Sequence, residues 1–295
     1  CASKDASQNI LFGQKEADDL RRQLFLILWN VYNFFVTYAN LENWKPINHK
    51  AAKPSVLDHW IVIRLNQTTN IVTQSLDLFD AYTGSQAIEG FVSDLSLWYV
   101  RRSRDRVGPT AKDPSDKISC LSTLHLVLST LARLMAPFVP FITDEIYTNL
   151  SDEESVHLTS WPKKATISTS DLQLVEDMKQ IRKIVELGLS KRKESGIKVR
   201  QPLRSITITG AKLSHLEYLL TDELNIKKVI WTSGNELSIT LDTQTDEELL
   251  AEGQARDLIR TVQESRKALG ARLNQSIILT LPQKDLPDHL LAEIQ

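Results

Sequence analysis

The stretch LSLWYVRRSRDR, Leu95 to Arg106, sets two large aromatics beside four arginines, with Asp105 as the one acid from Arg101 to Arg106. A guanidinium forks onto phosphate oxygens and stacks on bases, and an indole or phenol ring offers a flat face to an unstacked base. The composition therefore suits RNA. At about 100° per residue, Leu95, Trp98, Tyr99, Arg102 and Arg106 share one side of a helix, while Arg101 and Arg104 point away from it. Arg101 and Arg104 are the first candidates for phosphate or base-edge contact. Arg102 and Arg106, on the aromatic side, are candidates with an alternative, which is packing or pairing with an acid. Trp98 and Tyr99 are candidate stacking platforms, worth roughly 1–3 kcal/mol per base; the alternative for both is the core.

A second basic cluster is denser. From Lys179 to Arg204 nine lysines and arginines stand against Glu186 and Glu194. The subset expected to face RNA is Lys191, Arg192, Lys193, Lys198 and Arg200, around a turn at Gly196. A solvated helix end is the competing explanation. If both clusters engage, several phosphates are neutralised, and affinity falls with salt at a log–log slope of about −0.7 per phosphate on single strands.

Other chemistry is missing. There is no G-x-x-x-x-G-K-[ST], no G-x-G-x-x-G and no G-x-S-x-G elbow. Cys1 and Cys120 cannot make a disulfide framework or a four-thiolate zinc site, and the six histidines include no HxxxH or HxxH pair. His125 reads as a packed helix residue. The acidic pairs Asp18-Asp19, Asp152-Glu153-Glu154 and Asp246-Glu247-Glu248 fall at helix starts or loops, where they complement the helix dipole. Nothing in this segment argues for catalysis, and no metal or cofactor site is expected in it.

The elements that must position these clusters follow from periodicity. The 295 residues are 42% hydrophobic and 24% charged with a net charge of −2, so an RNA surface has to be a local patch. Ten glycines and ten prolines favour long helices. The most apolar run, Leu24 to Leu41, is interrupted by Asn30, Asn33, Thr37 and Asn40, and reads as a buried helix; no membrane partner is expected. The first residues, CASKDASQNI, lack an apolar signal core and an initiator Met, so the chain reads as an excised piece. Sparse cysteine points to a reducing, cytoplasmic compartment.

Helices are expected over 16–42, from an N-cap at Ser55 to about Tyr82, from Gln86 to about Arg106, over 116–135 and over 141–150, with a turn at Thr83-Gly84-Ser85. After residue 150 the character changes: a helix over 171–195, strands near 203–210, 226–232 and 237–242, a short helix over 213–220, a helix over 245–269 and a strand over 277–281. Arg192-Lys193-Glu194-Ser195-Gly196 echoes Arg266-Lys267-Ala268-Leu269-Gly270, each a helix end with a glycine C-cap before a strand. The expected division is a connector (1–15), a helical domain (16–150), a linker (151–170) and an α+β domain (171–295). The fold class is mainly α, an antiparallel helical bundle followed by a smaller α+β domain with a duplicated helix–strand unit.

Several stretches together resemble the C-terminal part of class I isoleucyl-tRNA synthetases: WNVYNFFVTYANL (Trp29–Leu41), LDHWIVIRLN (Leu57–Asn66), FVSDLSLWYVRRSRDR (Phe91–Arg106), MAPFVPFITDEIY (Met135–Tyr147) and SVHLTSWP (Ser155–Pro162). VRQPLRSITI (Val199–Ile208) and AEGQARDLIR (Ala251–Arg260) extend the resemblance over nearly the whole chain. Valyl- and leucyl-tRNA synthetases share the general plan. The resemblance implies a bundle of the class I anticodon-binding type and binding to the anticodon stem-loop of tRNA(Ile), with tRNA(Val) or tRNA(Leu) as the alternatives. For the parent enzyme it implies ATP-dependent, Mg-dependent aminoacylation. The HIGH- and KMSKS-type motifs of the family are missing, which implies that they lie in another part of the enzyme. The cysteine-rich zinc module in which some bacterial relatives end cannot be supplied by two cysteines, so the chain resembles the zinc-free subgroup. Partners implied are tRNA(Ile), the rest of the synthetase and, through the α+β domain, other proteins. Two rival readings are a protein-interaction scaffold and a free-standing RNA-binding paralogue without catalysis.

Overall fold

The computed structural model describes residues 13–46, 54–109, 111–234, 236–272 and 275. The chain divides into two compact units between Val175 and Glu176. The first is helical: α1 (Gln14–Leu20), a π-helical turn (Arg21–Phe25), α2 (Leu26–Leu41), α3 (Val56–Asp77), α4 (Ala81–Ser93), a π-helical segment (Asp94–Val100), α5 (Arg101–Val107), α6 (Pro114–Met135) and α7 (Pro140–Leu150).

These helices begin where short polar side chains satisfy the first N–H groups. Ser55 Oγ accepts from Asp58 N–H at 3.1 Å, and Asp58 Oδ2 accepts from Ser55 N–H at 2.9 Å, a reciprocal capping box at the head of α3. Asp80 caps α4 and Asp113 caps α6, with Pro114 at the first position of that helix. The core is the apolar stripe of each helix, including Leu28, Val31 and Phe35 of α2, Trp60, Ile61 and Val72 of α3, and Leu121, Leu124, Leu128 and Leu131 of α6. By length and hydropathy alone two helical stretches, Gln14–Leu41 and Pro114–Met135, could cross a bilayer. The second was not singled out by its sequence; most of its residues are inside the bundle.

The junction of α3 and α4 departs from the expected one. α3 stops at Asp77, and Gly84, expected in a turn, lies inside α4. The reason is packing: a Cβ at Gly84 would come within 3.2 Å of Phe138 Cζ, so the glycine admits that ring. The polar segment after α7 is strapped along the bundle. Asn70 donates to the Ala165 carbonyl at 2.9 Å and accepts from its N–H at 3.1 Å, Trp161 Nε1 donates to Thr73 Oγ1 at 2.9 Å, and Asp144 accepts from Ser155 Oγ and Val156 N–H.

α8 (Thr169–Glu194) starts at a second capping box, Ser168 with Asp171. In the second unit follow β1 (Leu203–Thr209), α9 (Glu217–Leu224), β2 (Ile226–Thr232), β3 (Ser238–Leu241) and α10 (Glu247–Ala268). The sheet order is β2-β1-β3, with β1 parallel to β2 (Leu203↔Ile226) and antiparallel to β3 (Ile206↔Leu241). α9 is the crossover that a parallel pair requires, and Leu203, Ile206 and Ile208 of β1 are buried. α8 and α9 touch at Gly188, where a Cβ would lie 2.6 Å from a Leu224 methyl. The strand expected over 277–281 lies outside the described residues.

Candidate nucleic-acid interface

The two basic clusters fall in different units, and each has its own geometry. In the first, the arginine helix is bolted down by one buried carboxylate. Asp58, at the third position of α3, accepts from Ser55 N–H, from Tyr99 Oη at 2.5 Å, from Ser119 Oγ at 3.1 Å and from both terminal nitrogens of Arg106, Nη1 at 2.9 Å and Nη2 at 2.7 Å. Arg106 also donates to Asp116, Nε at 2.8 Å and Nη2 at 2.7 Å. The side chain of Arg106 is 13% exposed. The cluster joins the starts of α3 and α6 to the π-helical segment and the last turn of α5. Burial alone would raise the carboxyl of Asp58, but the bonds and charge of Arg106, with the Tyr99 hydroxyl, hold it below the ordinary aspartate range. Burial also opposes the charge of Arg106, which Asp116 and Asp58 nonetheless secure above the usual arginine value.

This arrangement sorts the candidates. Tyr99 is fully buried, its hydroxyl spent on Asp58, and burial pushes its ionisation well above the tyrosine range. Its ring cannot stack on a base, which corrects that expectation. Trp98 is buried too, with the guanidinium carbons of Arg101 and Arg102 at 5.9 and 5.7 Å from its ring centre, so its face is occupied by cations of its own chain. Arg106 is an internal ion-pair residue, the alternative weighed for it above. Arg102 is half-buried beside Trp98. Arg101 and Arg104 are exposed, as the helical projection predicts. Arg101 Nε donates to the Leu97 carbonyl at 3.0 Å, which fixes its stem, and Arg104 has no side-chain partner among the described residues.

The π-helical segment Asp94–Val100 contributes to this sorting. It inserts a wider turn ahead of Arg101, a feature often found at functional sites. Arg64 Nε donates to Asp94 Oδ2 at 2.9 Å at its start, so the segment is held at its head by α3 and at Tyr99 by Asp58. Sequence reasoning passed over Asp58, Asp116 and Ser119. The signal was there: Ser55-x-x-Asp58 is a capping box, and its acid stands three and seven residues before Ile61 and Leu65, on one buried face of α3.

In the second unit Arg192 is the correction. It is fully buried. Its Nη1 donates to the carbonyls of Lys198 (3.0 Å) and Gln201 (2.9 Å), and its Nη2 to those of Leu224 (2.5 Å) and Asn225 (3.0 Å). Burial, with the charge of Arg256 adding to it, lowers its pKa to about 10. This guanidinium holds the loop before β1 to the end of α9, its terminal nitrogens turned to main-chain carbonyls. Lys198 and Arg200 both reach Asp257 of α10, at 3.5 and 3.0 Å, and Lys191 pairs with Glu194 at 3.0 Å on the surface. Lys193 is exposed without an ion pair among the described residues. Much of the positive charge read from this stretch is therefore internally compensated.

Comparison with known proteins bears on the same residues. The family described as the anticodon-binding domain of tRNA ligase matches residues 58–207. An isoleucine–tRNA ligase of Dehalococcoides mccartyi (strain CBDB1) is 37% identical over 286 residues, 87% of this chain and 28% of that protein. One from Clostridium acetobutylicum is 41% identical over 226 residues, 74% of this chain and 22% of its own length. One from Pyrococcus horikoshii is 32% identical over 371 residues, covering 97% of this chain and 34% of that protein. The chain thus spans between a fifth and about a third of the length of these relatives.

Proposed function

The chain belongs to the family of tRNA-ligase anticodon-binding domains, and from that premise we propose that it binds the anticodon stem-loop of tRNA(Ile) for an isoleucine–tRNA ligase. The observation that carries the reading is the pair Arg101 and Arg104, exposed on a helix whose opposite side is locked by Asp58, Tyr99 and Arg106. An anticodon loop offers unstacked bases and closely spaced phosphates. Guanidiniums on a fixed helix meet it with less ordering cost than arginines on a loose segment.

The isoleucine assignment is supported by the names of the relatives and by the NVYNFFVTYANL and SVHLTSWP stretches. ATP, Mg²⁺ and the aminoacyl transfer belong, on this reading, to the rest of the ligase, in the cytoplasm, and this segment contributes recognition. Lys193 is the residue of the second unit best placed to add a phosphate contact. Lys191, Lys198 and Arg200 reach RNA by exchanging their present acidic partners for phosphate.

The test is a fluorescence anisotropy titration of the chain with tRNA(Ile), with the same tRNA carrying a replaced anticodon, and with an unrelated tRNA. Preference for the first over both others is expected. Equal affinity for all three would reduce the surface to a generic basic patch and remove the anticodon from the account.

A further inference from the structure

The turn that ends α2 supplies an aromatic that the arginine helix withholds. Trp98 and Tyr99 are buried, whereas Trp44 is half-buried and lines a cavity of about 380 Å³. Local structure sets the position of Trp44. Its N–H donates to Ala39 O at 2.8 Å, and Asn43 N–H donates to Asn40 O at 3.2 Å. Asn43 between them has φ of +50°, the left-handed place of a helix C-terminus that asparagine tolerates. The indole then packs edge-on to Phe35, ring centres 5.6 Å apart and planes at 82°, and its centre lies 5.4 Å from that of His125. Trp44 is therefore ordered by its own chain, and a ligand that meets it need not order it again.

The rest of the wall is the start of α6. Pro114, Lys117, Ile118 and Leu121 share one helix face at the i, i+3, i+4, i+7 spacing, and all four line the cavity. Asp116, on the other side of the same turns, holds Arg106. The cavity and the arginine cluster thus flank one helix, about 10 Å across. Lys45 lines the cavity too, exposed and with no acidic partner among the described residues. The acid of the lining, Glu42, is already paired with Lys117 at 2.7 Å. Asn43 adds an exposed amide, able both to donate and to accept. An unstacked nucleotide asks for this set: an aromatic and an apolar wall for the faces of its base, an amide for the edge and a cation for the phosphate. The volume falls within the range of small-ligand sites.

We propose that this cavity takes one unstacked nucleotide of the anticodon loop, its base against Trp44 and its phosphate at Lys45. The proposal rests on the reading above, that the chain binds the anticodon arm of tRNA(Ile). Position favours a nucleotide within RNA over a free one. α5 and α6 are consecutive helices, so a loop held at Arg104 has the first turns of α6 to cross before it meets Trp44. A free mononucleotide would draw nothing from the arginines.

Anticodon stem-loops of tRNA(Ile), each abasic at one loop position, are titrated against the chain and its variants. At one position, loss of the base should weaken binding about tenfold. Ile118→Trp, which fills the cavity, should weaken the intact stem-loop by a similar factor, and the two losses should not add. Lys45→Ala removes an exposed side chain and keeps the test open whatever Ile118→Trp does to the fold; it should flatten the salt slope by up to about 0.7. Trp44 also reports directly, because its indole N–H is buried without an acceptor among the described residues. The indole N–H resonance, identified by its loss in Trp44→Phe, should shift with the intact stem-loop and stay in place with that abasic one. Losses that add at every loop position, or an unchanged slope in Lys45→Ala, would overturn the proposal. So would free 5′-mononucleotides that shift the indole signal while Ile118→Trp binds the stem-loop like wild type, which would give the cavity to a small nucleotide. The functional reading fails by a different result, equal affinity of the unaltered chain for tRNA(Ile) with and without its own anticodon, which leaves the coupling between Ile118→Trp and the abasic position free to appear.

Discussion

Arg192 and Arg266 make the same two main-chain bonds at the same two spacings. Arg192 donates to the carbonyls six and nine residues on, Lys198 and Gln201, and Arg266 to the carbonyls six and nine residues on, Arg272 and Gln275. The turns between repeat too. Gly196 and Gly270 both have φ of +67°, Ile197 N–H returns to Arg192 O, and Ala271 N–H returns to Arg266 O. The echo in the sequence is thus a repeated loop, closed each time by the guanidinium of the helix that precedes it. The copies differ in burial. Arg192 is buried and takes two further carbonyls from the end of α9, while Arg266 is only half-buried and takes none beyond the two among the described residues.

That contrast fixes a first prediction. Arg192→Met leaves the buried Leu224 carbonyl and three partly buried ones without their donor and should cost about 2–4 kcal/mol, since unsatisfied buried acceptors lose their desolvation energy. Arg266→Met exposes its carbonyls to water and should cost under about 1 kcal/mol. Urea denaturation of each variant measures both. Equal losses would mean that burial does not set the strength of the clamp.

Asp58 yields a prediction in pH. Its folded pKa is depressed, so the stability it contributes is complete above the unfolded value of about 4 and is lost as pH falls through the lower folded value. Asp58→Asn breaks a buried pair on one side and should lose about 3 kcal/mol at neutral pH. The gap between wild type and variant should narrow below about pH 4. Asp144, Asp171 and Asp246 also titrate low, but they are common to both proteins and cancel in the difference. A gap that stays constant with pH would show that Asp58 acts by shape alone.

Tyr99 separates packing from RNA contact. Tyr99→Phe keeps the ring and deletes a bond to a charged acceptor, which should cost about 1.5–3 kcal/mol in stability. Affinity for tRNA, measured where the variant is fully folded, should be unchanged. A stable variant with weakened binding would put the ring on the RNA surface after all.

The sequence carried the helical architecture because its signals are local. Ser55, Asp113 with Pro114, and the Leu121–Leu124–Leu128 stripe each mark a helix by themselves. Which side of the arginine helix is wet was also legible, since Arg101 and Arg104 project away from Leu95 and Trp98 at helical spacing. What a side chain does once inside was not legible. Tyr99 and Arg106 read equally well as ligands or as packing until Asp58, far off in sequence, is placed between them. Arg192 was misjudged for a related reason: four carbonyls that neutralise a buried guanidinium leave no mark in composition. Gly84 was taken for a turn because the residue that needs its space, Phe138, sits two helices later.

Glycines give a test of packing with opposite signs. Gly90 lies in mid-helix with nothing within 4 Å of an added Cβ. Gly90→Ala should therefore stabilise by about 0.5–1 kcal/mol through the unfolded chain. Gly188→Ala would push a methyl to 2.6 Å from Leu224, forcing α8 from α9 at a cost of about 1–3 kcal/mol. Thermal melts of the two variants should move in opposite directions. A shared direction would contradict the closeness of α8 and α9.

The salt dependence of tRNA binding bears most directly on the arginine helix. Each phosphate neutralised releases counterions, and each contact adds about 0.7 to the slope of log K against log salt on a single-stranded loop. Arg101 and Arg104 are exposed, and neither belongs to the Asp58 cluster. Replacing both by alanine should lower affinity and flatten the slope by up to about 1.4, with the thermal melt nearly unmoved. Arg106→Ala should do the reverse, collapsing the melt through loss of the Asp58 and Asp116 pairs. If instead the double variant melts early, the exposed arginines hold the bundle together, and the phosphate contacts must come from elsewhere, Lys193 first. If it melts normally and binds with the original slope, Arg101 and Arg104 do not touch phosphate.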